Sequence, residues 1–483
     1  MIGAPADASA SAAPWPPGWG LRLDPATRRI DGGRVLVGGA PRRVMRLSAT
    51  GATWLDRIER GEPVPAGATS SGIARRLVDG GLAHPVPSAL GGPTPDEVAV
   101  VIPVRDDPVG LAQTLDALAG IDGLGPIVVV DDGSVDRVAV ERAAGTASVL
   151  RHARARGPGA ARQTGWLAVD RPIVAFVDAG VVVERTWLAH LLPHLADLAL
   201  AAIAPRVRSR AGEAPRQLAA YEAARSPLDL GGAAAPVRPG SPVPYVPTAA
   251  LVVRREALVA VDGFDPGLRY GEDVDLVWRL HDTGWRVRYE PAARATHASR
   301  STYRAWLRQR VGYGSSAAGL AARHGDAVAP LRGLSGWSAL AWGAALTGHP
   351  VLGAVIAAGS STALVPKLST LEHPLPEAAR LAGTGHLWAG RAVAEAVRRT
   401  WWPLALGLGA LDRRARPALL ACALMPPALE WRATRPGLGL GRYAALRLAD
   451  DAAYGAGVWL GCARARSGQA LRPAFSGPID VDR

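Results

Sequence analysis

Acidic residues recur in this chain just where apolar runs end. Arg105-Asp106-Asp107 follows Val98–Val104, Asp131-Asp132-Gly133-Ser134 follows Ile127–Val130, Asp178 follows Ile173–Val177, and Glu272-Asp273 opens a helical pattern carrying Leu276, Trp278 and Leu280. Carboxylates so placed can accept hydrogen bonds from a base N–H or a ribose hydroxyl, hold magnesium or manganese through oxygen, or take a proton from an attacking hydroxyl. Gly133 would let the backbone approach a ligand closely. The stretch Gly157–Gly165 combines small residues, Arg162 and a helix start. It suits an anionic group, because free N–H groups and the helix dipole both favour negative charge there.

These groups need a scaffold that brings them together. From Val98 onward, short fully apolar runs alternate with amphipathic helices near Pro108–Ala119 and Gly159–Val169, which is how a buried, mainly parallel sheet reads. Ligands of such sheets sit beyond the carboxyl ends of the strands. The pattern therefore predicts one cleft shared by Asp107, Asp132, Asp178 and Asp273.

Two further regions flank this α/β core. The first 17 residues, rich in Ala, Ser and Pro, read as a flexible tail. Residues 18–94 read as a small winged-helix unit. It has short strands at Leu21–Leu23 and Arg34–Val37 about the Asp31-Gly32-Gly33 turn, and Ser48 caps a helix carrying Trp54, Leu55 and Ile58. A second helix with Ile73, Leu77 and Val78 is stopped by Gly80-Gly81. The unit closes on a proline-rich stretch, Pro85 to Pro95, that reads as a linker. At the other end, residues 316–483 form an apolar helical region. No charged residue stands between Arg332 and Lys367, whereas one spanning helix needs only about 20 residues. Gly348, His349 and Pro350 interrupt that stretch, which is either a buried helical hairpin or a pair of short membrane-inserted helices. The apolar segments Trp401–Leu411 and Pro417–Leu429, flanked by arginines suited to headgroups, favour the membrane.

The net charge of +13 favours anionic partners such as nucleotide diphosphates, phospholipid headgroups or nucleic acid. A single lysine, Lys367, among many arginines is equally the mark of a GC-rich genome, so the charge by itself selects no partner. Only Cys422 and Cys462 occur, without metal-ligand spacing. That argues against a disulfide framework or a zinc site and fits a reducing cytosol. The N-terminus lacks a basic start followed by an apolar core, so no secretory signal is expected.

The blocks VVIPVRDDP, VVVDDGSVD, GPGAARQTG, FVDAG and GFDPGLRYGEDVDLVWRL, in that order, resemble the family 2 glycosyltransferases. The resemblance implies a GT-A nucleotide-sugar-binding domain over residues 95–315, an inverting transfer from a nucleotide-sugar donor, and a divalent cation, Mg or Mn. It places Pro103, Arg105, Asp107, Asp132, Gly133 and Arg162 around the donor, and Asp178 with His297 at the cation. Asp273 is the implied catalytic base, with Glu272 beside it and Asp275 supporting the helix. Each has a plainer reading: Glu272 and Asp273 could cap a helix, and His297 could close a strand. The chain also departs from the family, because Asp178-Ala179-Gly180 lacks the final carboxylate of Asp-x-Asp. The cation would then rest on Asp178, aided by His297 and the diphosphate itself. Trp306-Leu307-Arg308-Gln309-Arg310 with Gly312-Tyr313-Gly314 is similar to a loop that covers the sugar in related synthases, although Trp and Leu on one helix also suit a core.

Residues Gly18 to Pro87, above all Leu47-Ser48-Ala49-Thr50-Gly51-Ala52 and Leu77-Val78-Asp79-Gly80-Gly81-Leu82, resemble PqqD-like peptide-recognition domains. That implies a sheet edge to which a precursor peptide adds a strand. A DNA-binding winged helix, to which Arg42, Arg43, Arg75 and Arg76 would be suited, is the competitor, and fusion to a sugar transferase favours the peptide over nucleic acid. The whole domain order is similar to that of the mycofactocin-system glycosyltransferases. The similarity implies UDP-glucose as donor, β-linked units, a peptide-derived redox cofactor precursor as acceptor, and membrane association with the catalytic domain at the cytoplasmic face of the cell membrane. The alternatives are a membrane glycosyltransferase of glycolipid or cell-wall polysaccharide synthesis, and an inactive peptide-binding scaffold.

Overall fold

The computed structural model describes residues 13–88 and 91–474. Of the expected flexible tail, residues 1–12 lie outside the described residues, while Trp15 is buried edge-on against Trp19 with ring centroids 5.9 Å apart. The described residues fall into two compact units: those up to Arg210 together with Arg225–Ser299, and Ala211–Ala224 together with those from Arg300 on.

The first unit begins with five short strands: β1 (Gly20–Leu23), β2 (Arg28–Ile30), β3 (Val35–Gly38), β4 (Arg43–Arg46) and β5 (Ala83–Val86). β2, β3 and β4 form an antiparallel sheet, and β1 pairs antiparallel with β5. Pro85 thus lies in a strand, opposite Leu21, rather than in a linker. A two-stranded ribbon consists of edges alone, and an edge tolerates the missing N–H of proline. Ser48 caps the helix Ala49–Glu59, accepting from the Gly51 N–H at 3.0 Å, and Ala68–Asp79 forms the second helix. Leu36, Leu55, Ile58, Leu77 and Leu82 make the core between them.

The remaining strands build one mixed sheet: β6 (Val98–Val104), β7 (Ile127–Asp131), β8 (Ser148–Arg151), β9 (Ile173–Val177), β10 (Val181–Val183), β11 (Leu200–Arg210), β12 (Ala235–Pro236), β13 (Ala250–Arg254) and β14 (Arg286–Ala298). Their order is β10-β14-β11-β13-β9-β6-β7-β8, with β12 added against β14. β9, β6, β7 and β8 run parallel, so their carboxyl ends open on the same side. All seven residues of β6 are buried, as expected of the centre of a sheet covered on both faces. The N-terminal domain is tied to this sheet by two bidentate ion pairs. Arg75 binds Asp197, both buried, and Arg286 binds Asp79 at 2.7 and 2.8 Å.

The second unit is helical. The helix Tyr303–Ser315, assigned to the transferase domain by its sequence, groups here with the C-terminal helices. Trp306 on it is 1% exposed, donates from Nε1 to Glu222 Oε1 at 3.0 Å and packs on Tyr221. It is a core residue, not part of a cover over the sugar. Buried ion pairs join these helices: Arg310 to Glu222 and Asp450, and Asp451 to Arg398 and Arg447. The uncharged stretch forms two helices, Gly336–Leu346 and Pro350–Leu364, divided at Gly348-His349-Pro350. Pro350–Leu368 is long and apolar enough to cross a membrane by length and composition, and only 17% of that window is buried in the protein. Trp402–Leu411 is a shorter apolar helix.

Candidate active site

The carboxyl ends of β6 and β7 are tied together by their acidic loops. Asp106, at φ +55°, accepts from the Val135 N–H at 2.8 Å, while its own N–H donates to Ser134 Oγ at 2.9 Å. Asp107 caps the helix Pro108–Ala119, Oδ1 accepting from the Gly110 N–H at 2.8 Å. Arg105 is exposed and lies 3.4 Å from Asp106, and Pro103 is buried within β6 beside Val130. The register with β9 ends at Val101, so at Pro103 the strand is paired on the β7 side alone, an edge-like position that proline tolerates.

Asp132 is 4% exposed and both of its oxygens accept hydrogen bonds. It accepts from the Arg156 and Gly157 N–H groups at 2.8 and 2.7 Å, and His152 Nδ1 lies 2.7 Å away. His152 in turn meets Thr164 Oγ1 through Nε2 at 2.9 Å. Asp132 therefore shapes the loop ahead of the helix Pro158–Leu167. Gly133 does the same kind of work. It has φ +73°, and a Cβ there would come within 2.7 Å of the Ala155 nitrogen, so the close approach its size permits is to this loop. His152 had no sequence signal, since it stands alone one residue past a half-exposed strand.

Arg162, Asp178, Glu272 and Asp273 do converge. Arg162, 3% exposed, donates from Nη2 to Asp178 Oδ1 at 2.6 Å and from Nη1 to Glu272 Oε1 at 2.9 Å, and its guanidinium lies 5.9 Å from the Phe264 ring centre. Burial works against its charge, but Asp178 and Glu272 outweigh that and hold it more firmly protonated than a free arginine. Glu272 begins the helix Glu272–Asp282 and can come this close because Gly159 has no side chain: a Cβ there would lie 3.3 Å from Glu272 Cβ and Cγ. Asp273 follows it in the first turn. Withdrawal from water, then the neighbouring Glu272 charge, push the Asp273 carboxyl up to about 7. A carboxyl tuned near neutrality is suited to exchanging a proton with a hydroxyl.

The loop after β9 is held against the helix Pro108–Ala119. Gly180, at φ +86°, donates its N–H to Gly110 O at 3.0 Å, and Val181 pairs with His297 across β10 and β14. Among the described residues no three His, Cys, Asp or Glu side chains gather as a metal cage. Magnesium and manganese need no such cage when a substrate diphosphate supplies oxygens, so a donor set of one carboxylate and one imidazole, with phosphate, fits a shared cation. Asp178 follows β9, and His297 pairs with Val181 three residues further on.

The family described as glycosyltransferase-like family 2 matches residues 95–312. The chain is 39% identical over 475 residues to the pre-mycofactocin glycosyltransferase of Mycobacterium tuberculosis (strain CDC 1551 / Oshkosh), covering 95% of this chain and 98% of that protein. It is 25% identical over 201 residues to human polypeptide N-acetylgalactosaminyltransferase 9, covering 36% of this chain and 32% of that one. Among solved structures, the mannosyltransferase PcManGT from Pyrobaculum calidifontis, in complex with GDP-Man and Mn2+, is 20% identical with a TM-score of 0.38, covering 63% of this chain and 89% of that one. The mixed sheet with its family match is the α/β, GT-A glycosyltransferase domain that the acidic blocks led one to expect, followed by a helical C-terminal region.

Proposed function

Because the chain belongs to the pre-mycofactocin glycosyltransferase family, a glycosyltransferase by relation and by domain, we propose that it moves a hexose from UDP-glucose onto a peptide-derived mycofactocin precursor as β-linked units, with inversion. The observation that carries this reading is Asp273, next to Glu272 of the Arg162–Asp178–Glu272 cluster, its carboxyl pushed up to about 7 by burial and the Glu272 charge.

Asp273 takes the proton of the acceptor hydroxyl as that oxygen bonds to the anomeric carbon from the side opposite the leaving group. The bond from that carbon to the diphosphate breaks, nucleoside diphosphate departs, and an α-linked donor becomes a β-linked product. Arg162 keeps Asp178 and Glu272 in place around the site. Asp178 and His297 would be the residues to hold a Mg or Mn ion, which would supply positive charge against the departing diphosphate.

The N-terminal domain is the natural site for the peptide part of the acceptor. Its resemblance to PqqD-like domains, and the outer edges of β2 and β4, which border no further described strand, support strand addition there. The exposed apolar helices support membrane association, with catalysis at the cytoplasmic face. That feature alone also suits a glycolipid acceptor. Incubating the full chain with UDP-glucose and the peptide-derived acceptor, read by mass spectrometry, tests the reading: hexose-spaced products are expected. Asp273→Asn should lower transfer by at least 100-fold, in line with the usual weight of a general base, while UDP binding stays nearly intact. Near wild-type transfer by that variant would remove Asp273 from the base role.

A further inference from the structure

The turn at residues 261–264 is gripped from two helices at once. Gln163 follows Arg162 on the helix Pro158–Leu167. Its Oε1 accepts from the Phe264 N–H and from Trp166 Nε1, both at 2.7 Å, while its Nε2 donates to Asp262 O at 3.2 Å. Arg279 lies on the helix that Glu272 and Asp273 open. It donates from Nη2 to Gly263 O at 2.7 Å and from Nη1 to Val261 O, and its Nε donates to Asp275 Oδ2 at 2.8 Å. Two left-handed residues close the turn, Asp262 at φ +56° and Gly263 at φ +61°. Only glycine leaves room for the amide there, since a Cβ on Gly263 would lie 2.3 Å from Gln163 Oε1 and 2.5 Å from Trp166 Nε1.

Phe264 links this turn to the acidic cluster. Its ring meets Phe176 of β9 edge-on with centroids 5.0 Å apart, and the Arg162 guanidinium lies 5.9 Å from its centre. Arg162 in turn binds Asp178, just past β9, and Glu272. The helix Pro158–Leu167 thus holds the start of the helix Glu272–Asp282 in two ways: Arg162 takes the Glu272 side chain, and Gln163 takes the backbone that leads into it. Each helix also has anchors of its own. Gly165 lets the first close on β6 and β7, because a Cβ there would lie 2.2 Å from Val101 and 3.1 Å from Val130. On the second, Leu276 and Leu280 are buried and Trp278 Nε1 donates to Pro244 O at 2.8 Å. Loss of the Gln163 amide therefore leaves both helices in place and frees only their mutual setting.

We infer that Gln163 is a positioning residue for transfer: by holding the Phe264 N–H it fixes Asp273 against Arg162 and against the acceptor hydroxyl. This rests on the glycosyl-transfer reading above, in which Asp273 is the base. The amide acts through the turn and touches neither donor nor acceptor. A base displaced by about 1 Å loses on the order of 100-fold in rate, so a small slackening of the turn is enough to show in kcat.

The test is steady-state transfer by the full-length protein from UDP-glucose to the peptide-derived acceptor across a pH series, beside UDP binding by calorimetry. Gln163→Met keeps the length of the side chain and removes the acceptor. It should lower kcat about tenfold or more and leave the UDP dissociation constant within about twofold of wild type. Burial is the first cause of the raised Asp273 carboxyl, so a loosened turn that admits water should move the acidic limb of kcat/KM to lower pH. A loss of folded protein would scale the whole profile and leave the limb in place. Gln163→Glu still accepts from both N–H groups and should return kcat to within about threefold of wild type at about pH 9, where Asp273 is ionised. Gly263→Ala pushes the amide aside without changing it and should move the limb the same way, and combining it with Q163M should move it little further. Unchanged kcat in Q163M overturns the inference, as do a limb that stays in place, a parallel loss of UDP affinity, or failure of Q163E to recover transfer. Additive shifts in Q163M/G263A overturn it too, because the two residues would then not act through one contact. A wild type that transfers no sugar refutes the glycosyltransferase reading itself, and this role with it.

Discussion

Arg162 holds Asp178 by a 2.6 Å hydrogen bond from Nη2 to Oδ1, at the junction of the helix Pro158–Leu167 and the end of β9. The same guanidinium reaches Glu272, so one buried cation fixes carboxylates from two distant parts of the sequence. Arg162→Met would leave Glu272, Asp273 and Asp178 as near neighbours with no counter-charge. Removing one partner of a buried pair costs about 3–5 kcal/mol, and the half-exposed Asp178 puts this case at the lower end. Lysine restores charge but cannot bridge two carboxylates as a planar fork does, so Arg162→Lys should recover only part of the loss. Denaturant unfolding of the three proteins measures the order wild type, Lys, Met.

The pH dependence of transfer should follow Asp273. Its carboxyl must be ionised to accept a proton, so kcat/KM should rise with pH through about 7 in the free enzyme. The Glu272 charge is one cause of that elevated value. Glu272→Gln removes the charge while its amide oxygen can still accept from Arg162, so the acidic limb should move to lower pH. Arg162→Met removes a cation that favours ionised Asp273, so its limb should move the opposite way. Two pH–rate profiles displaced in opposite directions are the expected result. A common shift would place the limb on another group.

Much of this site was legible because strand ends and helix starts leave strong local marks. The apolar runs of β6, β7 and β9 and the acidic residues just after them mark Asp107, Asp132 and Asp178 at strand ends, and Glu272-Asp273 marks a helix start, without any knowledge of packing. What remained hidden was long-range or unmarked. The commitment of Asp132 to the 152–157 loop depends on His152, which has no motif about it. β2 and β4 were invisible because Arg28-Arg29 and the arginines at both ends of Arg43–Arg46 break the apolar alternation that marks a strand. Trp306 was open between a sugar contact and a core position, and its burial beside Tyr221 depends on a helix more than 80 residues away, far outside the local window that periodicity covers.

The N-terminal domain should be held chiefly by one of its two ion pairs. Arg75 and Asp197 are each 8% exposed, and Arg75 also donates to the Ala13 and Pro14 carbonyls. Asp197→Ala would strand a buried guanidinium, at a cost of about 3–5 kcal/mol. The Arg286–Asp79 pair is more open to solvent, and Asp79→Asn should cost only about 0.5 kcal/mol. Because replacing both members of a buried pair is milder than removing one, Arg75→Met with Asp197→Leu should be closer to wild type than Asp197→Ala. Thermal unfolding and limited proteolysis near residue 88 check that ranking.

The helical unit yields the sharpest expectation about location. Leu404, Leu406, Leu408 and Leu411 are 49–90% exposed on one short helix, and Leu420 and Leu424 are 58% and 49% exposed on the next. Arg413 and Arg414 stand between the two helices and Arg416 opens the second, all exposed. Apolar side chains that meet only water favour transfer to an acyl layer by roughly 1.5–3 kcal/mol each when fully covered, and each arginine near an anionic surface adds about 1 kcal/mol. The two contributions differ in salt dependence, since only the second is screened. The full chain should therefore cosediment with vesicles containing anionic lipid, more weakly with neutral ones, and 0.5 M salt should reduce only the anionic preference, by an amount on the order of a Debye-screened contribution. Leu404→Glu with Leu406→Glu should abolish binding to both kinds of vesicle. Replacing Arg413, Arg414 and Arg416 with glutamine should equalise them. If the leucine pair leaves cosedimentation unchanged, the exposed helices face another partner.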